Sequence, residues 1–337
     1  MVKQMRIGLS YDLKSAVEGN LAVEDALEEY DSPETVELIS AALTAKGHTV
    51  IRLGGGEQFI DNIRRENIDI VFNIAEGRGN YRSREAQVPS LLEMLDIPYT
   101  GADPLCLSVC LDKPITKKLV AAEGIATPGW LVINDGDELY RTPWEKLNFP
   151  VIIKPASEGS SKGIRLTSLA HDVRQAEEQA RKILKGYRQP VMAEEFIDGD
   201  EVTVGIVGNY PPKIVGIMRV VPKKPVEHFV YSLEVKRDYA NLVDYECPAR
   251  LLQDTLDVIE NYSLKAFKSL GCRDFSRVDF RVSCDGKPYF IEINPLPGLG
   301  SYSDLVIMAL MRGWTYEALI GSVIDAAIER YPQCVRV

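Results

Sequence analysis

A mixed α/β fold is what this chain predicts, on three observations. Strand-like and helix-like runs alternate through the N-terminal third, as in a small parallel sheet flanked by helices. A β-branched run, Val151-Ile152-Ile153-Lys154-Pro155, leads into the Gly/Ser-rich segment Glu158-Gly159-Ser160-Ser161-Lys162-Gly163. Near the C-terminus, Asp285-Gly286 separates two alternating runs (Val278, Phe280, Val282, then Phe290 to Ile293), which signals an antiparallel hairpin with a two-residue turn.

The elements follow in order. Arg6–Ser10 reads as the first strand. After a long acidic stretch a helix begins with Ser32 as N-cap and Pro33 at its first position, and it ends before Gly47. Strands at 48–53 and 69–74 and a helix around 88–95 complete a unit whose ligand edge lies at the strand C-termini. Only Gly8 follows the first strand, and Gly54-Gly55-Gly56 is wrongly spaced for a dinucleotide fingerprint. No Walker A motif occurs. A nicotinamide dehydrogenase is therefore disfavoured and a P-loop NTPase excluded. A second unit starts near Ala102, with a helix over 114–123 closed by Gly124, the strand ending at Lys154, the glycine-rich segment, and a helix over 172–185. That helix sets Val173, Ala176, Ala180 and Ile183 on one face. A third unit, from about Val191, holds strands at 201–207 and 214–220, a polar stretch over 222–248, an amphipathic helix over 251–270, and the hairpin.

Composition narrows the function. A chain of 337 residues suffices for two or three domains, and 45% hydrophobic with 26% charged residues is ordinary for a soluble protein. A net charge of −10 argues against a nucleic-acid partner. No apolar run reaches about 18 residues, so neither a membrane span nor a signal peptide is expected. The six cysteines show no CxxC pairing and read as small core residues of a cytoplasmic protein. Cys106 and Cys110 stand one helical turn apart with no neighbouring histidine to complete a zinc site.

Chemistry concentrates in two places. A two-residue turn would pair Cys284 with Lys287, and this sets Asp279 opposite Glu292 and Arg277 opposite Asn294, all four on one face. Carboxylates about 5 Å apart repel by roughly 3 kcal/mol at an effective dielectric of about 20. Either solvent screens them or a cation offsets them. Oxygen-only donors suit Mg²⁺, which usually arrives with substrate phosphates. Lys154 ends a buried strand, where an unpaired ammonium is costly, so it needs an anionic partner. The glycine-rich segment after it offers backbone N–H groups to a phosphate. Together these features describe a Mg-ATP site without a P-loop.

The segments VIIKPASEGSSKG, AEEFIDGDEVTV, ECPA, GCRDFSRVDF and FIEINPLPGLG, with LDK near 113 and IPYTG near 101, resemble the ATP-grasp superfamily and its D-alanine–D-alanine ligase branch. The resemblance runs from about residue 68 to the C-terminus. It implies an N-terminal α/β domain over 1–104, a small ATP-grasp subdomain over 105–190, and a C-terminal subdomain over 191–337 with a lid at 222–248, the nucleotide lying between the two subdomains. It further implies Lys113, Lys154 and Ser161 at the ATP phosphates, with Glu194, Glu195, Phe196 and Ile197 along the adenine cleft and Glu201 at the ribose. Asp279, Glu292 and Asn294 would hold two Mg²⁺ ions, with Mn²⁺ as a substitute, and Lys236 would be the lid lysine. Arg277 and the Gly298 N–H would face a tetrahedral oxyanion, and Ser160 would orient substrates. The implied reaction joins a carboxylate to an amine through an acyl phosphate, on small amino acid or peptide substrates, as in peptidoglycan biosynthesis, in a homodimer joined through the N-terminal unit. A nucleotide-binding homologue without catalysis is the alternative.

The substrate side departs from that pattern. The family's first loop, a Gly-Gly-x-Ser-x-Glu type segment, is replaced by SYDLKSAVEGNLAVEDALEEYDSPE, where Glu28, Asp31 or Glu34 could supply the missing acid. Glu76-Gly77 stands where the family has His-Gly, and Arg237 where it has the lid tyrosine, with Tyr239 as stand-in. The family's Ser-Leu pair reads Ser303-Asp304. An aspartate beside an incoming carboxylate costs on the order of 1–3 kcal/mol unless neutralised. Asp304 is therefore expected either to pair with a cationic acceptor group of the substrate or to cap the helix over 305–311. Arginines 82, 84 and 237 suggest a more anionic or larger substrate; an ion pair of Arg84 with Glu85 or Glu93 is the competing explanation.

Overall fold

The computed structural model describes residues 4–16, 23–331 and 334. Strands β1 (Arg6–Ser10), β2 (Thr49–Gly54) and β3 (Ile70–Asn73) form a parallel sheet in the order β2-β1-β3. Ser32 caps the helix Pro33–Ala45 through a 3.2 Å bond from the Thr35 N–H, with Pro33 in the first turn as predicted. The triple glycine has a structural use: Gly55 is the N-cap of an unpredicted helix, Gly56–Arg65, and positive φ at Gly54 (73°) and Gly56 (57°) turns the strand end sharply into it.

The second sheet is antiparallel, in the order β4 (Trp130–Ile133), β7 (Val191–Glu195), β5 (Val151–Pro155), β6 (Leu169–Ala170). Helix Val173–Tyr187 lays Ala176, Ala180 and Ile183 on it, in a core that Ile133, Val151, Ile153 and Val191 complete. Val173 lies outside that core, 40% exposed in the first turn of the helix.

The third sheet, also antiparallel, runs β10 (Val243–Glu246), β9 (Lys213–Pro222), β8 (Gly199–Val207), β11 (Phe275–Ser283), β12 (Pro288–Asn294). The pairings Arg277–Asn294 and Asp279–Glu292 are those expected, but the turn is not. Ser283, not Cys284, bonds Lys287 (N–H to carbonyl, 3.0 Å), leaving a three-residue loop closed by Gly286 at φ 84°. A bulge after Asp279, where Phe280 pairs with Phe290, absorbs the one-residue offset and restores the register. The polar stretch over 222–248 carries two helices too short to show a period, Leu233–Arg237 and Tyr239–Leu242, over a small core of Val220, Phe229, Val235 and Val243.

One core joins the first and third sheets: Ile7, Leu9 and Phe72 share it with Val204, Phe280 and Ile293. Asp274, fully buried at φ 64°, fastens that junction. It accepts from the Gly101 N–H (2.7 Å), Asn209 (3.0 Å) and Arg330 (2.6 Å). Cys106, Cys110 and Cys272 meet in the same core, whereas Cys284 is exposed, since it sits in the hairpin loop.

Candidate active site

The hairpin places its four polar residues together. Arg277 donates to Asp279 from Nε (2.9 Å) and Nη2 (2.8 Å), and Thr203 Oγ1 on neighbouring β8 adds a 2.7 Å bond. Asn294 reaches both acids through its amide nitrogen at 3.3 Å; a half-turn of the amide presents oxygen instead. Glu292 pairs with Lys113 at 3.0 Å. Burial opposes ionisation of Glu292, yet Lys113, Lys154 and Arg277 outweigh it and hold this carboxyl far below the usual range. The repulsion expected between the acids is thus offset by Arg277 and Lys113.

The predicted lysines converge from separate elements on a cleft of about 880 Å³ between the second and third sheets. Lys154, at the end of β5, finds its anion in Glu194 on β7, where Lys117 binds the other oxygen. Burial raises the Glu194 carboxyl, but the two ammonium groups prevail and keep it low. Glu195 directs its carboxylate to Gly129 N–H (3.1 Å) and Asn148 (2.7 Å), so Phe196 and Ile197 supply the apolar wall. Glu201 pairs with Arg281 at 2.7 Å, and Arg281 lies 4.6 Å from the Phe196 ring. Over the cleft, Lys236 stands 5.0 Å from the ring centre of Tyr231.

The glycine-rich segment bends through left-handed conformations at Ser160 (φ 48°) and Ser161 (φ 59°), which are strained for residues other than glycine. The acidic stretch holds it there. Glu29 accepts from the Gly159 N–H (2.6 Å) and Asp25 from the Gly163 N–H (2.9 Å). Residues 17–22 of that stretch lie outside the described set. Glu24 and Glu28 take Arg237 of the 222–248 stretch at 2.6 and 2.8 Å, and the Leu233 N–H bonds the Ile164 carbonyl at 3.0 Å.

Two substrate-side expectations need correction. Arg84 is 4% exposed and binds Glu29 (2.7 Å), Glu158 (2.9 Å) and the Ser157 carbonyl (2.9 Å), neither Glu85 nor Glu93. Arg82 pairs with Asp112 at 2.6 Å. With Arg237 on the acidic stretch, all three arginines are engaged by the chain's own anions. Asp304 is not a cap either. Ser303 holds the N-cap position, while Asp304 accepts from Tyr231 Oη (3.1 Å) and lies 3.8 Å from Arg277.

A second cavity, of about 750 Å³, adjoins this site; Arg277, Asn294, Gly298, Ser160 and Ser303 line it, with Glu76 and Asp31 opposite. A Cβ at Gly298 would come within 2.9 Å of Ser303 Oγ, so glycine keeps the backbone approachable. Glu34 is exposed beyond the cavity. Sequence reasoning missed Glu29, Lys117, Lys162 and Tyr231. Only Lys162 left a local trace, four residues after its partner Glu158 at 2.5 Å. Tyr231 lines the cleft, and Tyr239 is not among the residues that do.

Comparison with known proteins bears on the family and the fold. The family model described as D-ala D-ala ligase C-terminus matches residues 119–325. The D-alanine–D-alanine ligase of Aquifex aeolicus is 34% identical over 299 residues, covering 87% of this chain and 94% of that protein. Uncharacterized protein y4sG of Sinorhizobium fredii is 33% identical over 304 residues, 87% of each chain. The crystal structure of D-alanine–D-alanine ligase from Bacillus anthracis complexed with ATP superposes with a TM-score of 0.75 at 25% identity, over 97% of this chain and 98% of that one. Three sheets with a lysine-lined cleft between the second and third define an ATP-grasp protein. Within that class, the chain belongs to the D-alanine–D-alanine ligase family, as a divergent member.

Proposed function

We propose that the chain is an ATP-dependent carboxylate–amine ligase, forming an amide through an acyl phosphate and releasing ADP and phosphate. The observation that carries this reading is Asp279 and Glu292 abreast on paired strands, faced by Arg277 and Lys113. A structural ion pair needs only one acid and one base. Two acids and two bases beside a cleft with two further lysines suit a polyphosphate and the cation that accompanies it. Asp279, Glu292 and the Asn294 amide form an oxygen donor set that fits Mg²⁺, or Mn²⁺ in its place. Such ions, when bound, neutralise charge on the transferring phosphoryl group.

The chain's own groups perform the remaining tasks. Lys113 and Lys154 exchange their carboxylate partners for phosphate oxygens, and Lys236 covers them from the lid. Phe196 and Ile197 take the adenine, and Glu201 the ribose. Ser160 and Ser161 hold substrate and phosphate from the glycine-rich loop. A substrate carboxylate attacks the γ-phosphoryl group; an amine then attacks the acyl phosphate, and phosphate leaves. Arg277 and the Gly298 N–H stabilise the oxyanion formed in that second step. The lid excludes water that would hydrolyse the acyl phosphate.

The test is ADP release with a panel of D- and L-amino acids and mass detection of the amide. Arg277→Ala should lower turnover by about 10²–10³, the loss typical of an oxyanion donor, with ATP binding retained. An absence of amide across the panel, with nucleotide still bound, would leave only the non-catalytic homologue.

A further inference from the structure

Asp304 is a buried acid that the reaction outlined above leaves without a task. It opens the helix Asp304–Met311 but does not cap it, and it is 8% exposed. It stands between the two cavities: Asp304 lines the first, while Ser303 and Arg277 line the second. Its two oxygens have separate partners. Oδ1 accepts from Tyr231 Oη at 3.1 Å, and Oδ2 lies 3.8 Å from Arg277 Nη1.

The tyrosine end of this chain of contacts is directional. A hydroxyl donates one proton, so with Tyr245 Oη 2.8 Å away, Tyr245 donates to Tyr231 and Tyr231 to Asp304. Burial, and then the charge of Asp304, push the Tyr231 phenol upward, which keeps that proton on the tyrosine. Tyr231 belongs to the 222–248 stretch, and its backbone carbonyl accepts from Ser161 Oγ of the glycine-rich segment at 3.3 Å. How that stretch sits over the cleft therefore sets how Asp304 points.

The arginine end shows what a third carboxylate adds. Among the described residues three acids approach Arg277: Asp279 on Nε and Nη2, Glu292 at 4.0 Å, and Asp304. Asp279 and Glu292 are also the oxygen donors proposed for Mg²⁺, and an oxygen given to an ion is a weaker partner for a guanidinium. Asp304 has no such second duty. A donor that serves a developing oxyanion acts by being fixed beforehand, so Arg277 needs an anion that stays with it.

We propose that Asp304 is a positioning residue of the ligase: held by Tyr231, it fixes Arg277 for the oxyanion and so couples the arginine to the seating of the 222–248 stretch. The proposal rests on the ligase reading and adds to it a group outside the reacting atoms.

The test is a pair of double-mutant cycles on the full chain. Asp304→Asn and Tyr231→Phe should each lower kcat for amide formation about tenfold while KM for ATP stays within about twofold. In an Arg277→Ala background neither change should lower the residual rate further, because a residue that acts through Arg277 has nothing left to act on. A purely structural role would lower it again. Urea unfolding of the ligand-free variants reads the contact without turnover: the midpoint loss of Asp304→Asn combined with Arg277→Ala should fall short of the sum of the single losses. If Asp304→Asn does not fold, Tyr231→Phe, which removes one hydroxyl, carries both cycles. A full further loss in the Arg277→Ala background, a rise in KM alone, an unchanged kcat in both variants, or additive midpoints would overturn the proposal. No amide from the wild-type chain sinks the ligase reading, and the midpoints then judge the contact alone. Amide from the wild type together with any of those failures sinks the proposal and spares the ligase.

Discussion

Glu292 and Asp279 show how single residues are poised. Each acid already has a cationic partner, so nucleotide binding is an exchange of ion pairs rather than the filling of a charged void. Glu292→Gln is expected to weaken Mg-ATP binding by at least about tenfold, because a charged ligand is lost and Lys113 is left buried without its anion; isothermal titration with and without Mg²⁺ checks this. The cavity acids predict a pH effect of definite sign. Glu85, ordinarily near 4.5, titrates near 8 in the folded chain. The folded protein therefore holds a proton that the unfolded chain has released. The stability this confers is complete below the unfolded value and is lost as pH rises through the folded one. The ligand-free melting temperature should fall between about pH 5 and pH 8.5, and less steeply in Glu85→Gln; scanning fluorimetry across that range decides it, and identical slopes would rule Glu85 out.

At the level of elements, the segment over 222–248, the lid of the proposed ligase, is tied down. Arg237 grips Glu24 and Glu28, and backbone bonds tie the lid to the glycine-rich segment. Because Arg237 and Glu24 are well exposed, breaking the latch should cost under about 1 kcal/mol of global stability. Arg237→Ala is nonetheless expected to speed hydrogen exchange over 229–246 and raise the KM for ATP several-fold, since it frees a closing element without touching the core. Unchanged exchange there would mean the contact is incidental. Legibility in the sequence divides along the same line. The hairpin face could be read because strand alternation alone aligns Arg277, Asp279, Glu292 and Asn294. The three-residue turn was misread since Asp-Gly suits both loop lengths, and the two errors of register cancel at the bulge. The lid helices escaped notice because four or five residues are too few to establish a helical period.

Across the whole molecule, Asp274 links the loop at Gly101, the helix carrying Arg330, and the start of β11. Asp274→Ala strands a largely buried arginine and an orphaned N–H, and should cost about 3–5 kcal/mol in denaturant unfolding. A loss below about 1 kcal/mol would show that the junction depends on its apolar core alone. Of the cavity acids, Asp31 and Glu76 were legible as substrate-side candidates from the loops they stand in, whereas Glu85 reads only as a partner for Arg84. Asp31 precedes the helix Pro33–Ala45 while Glu76 and Glu85 share the connection after β3, and only the packed chain brings the two segments around one space. The arginines illustrate the opposite failure: residue type suggested a free cation, while Glu24, Glu28, Glu29, Asp112 and Glu158 had already claimed each one. The turn over 24–29 touches the glycine-rich segment, the lid and the cavity wall at once. Grafting that short piece of chain between relatives would therefore carry the cavity wall and the hold on residues 222–248 across as one inherited trait, and neither could drift far without the other.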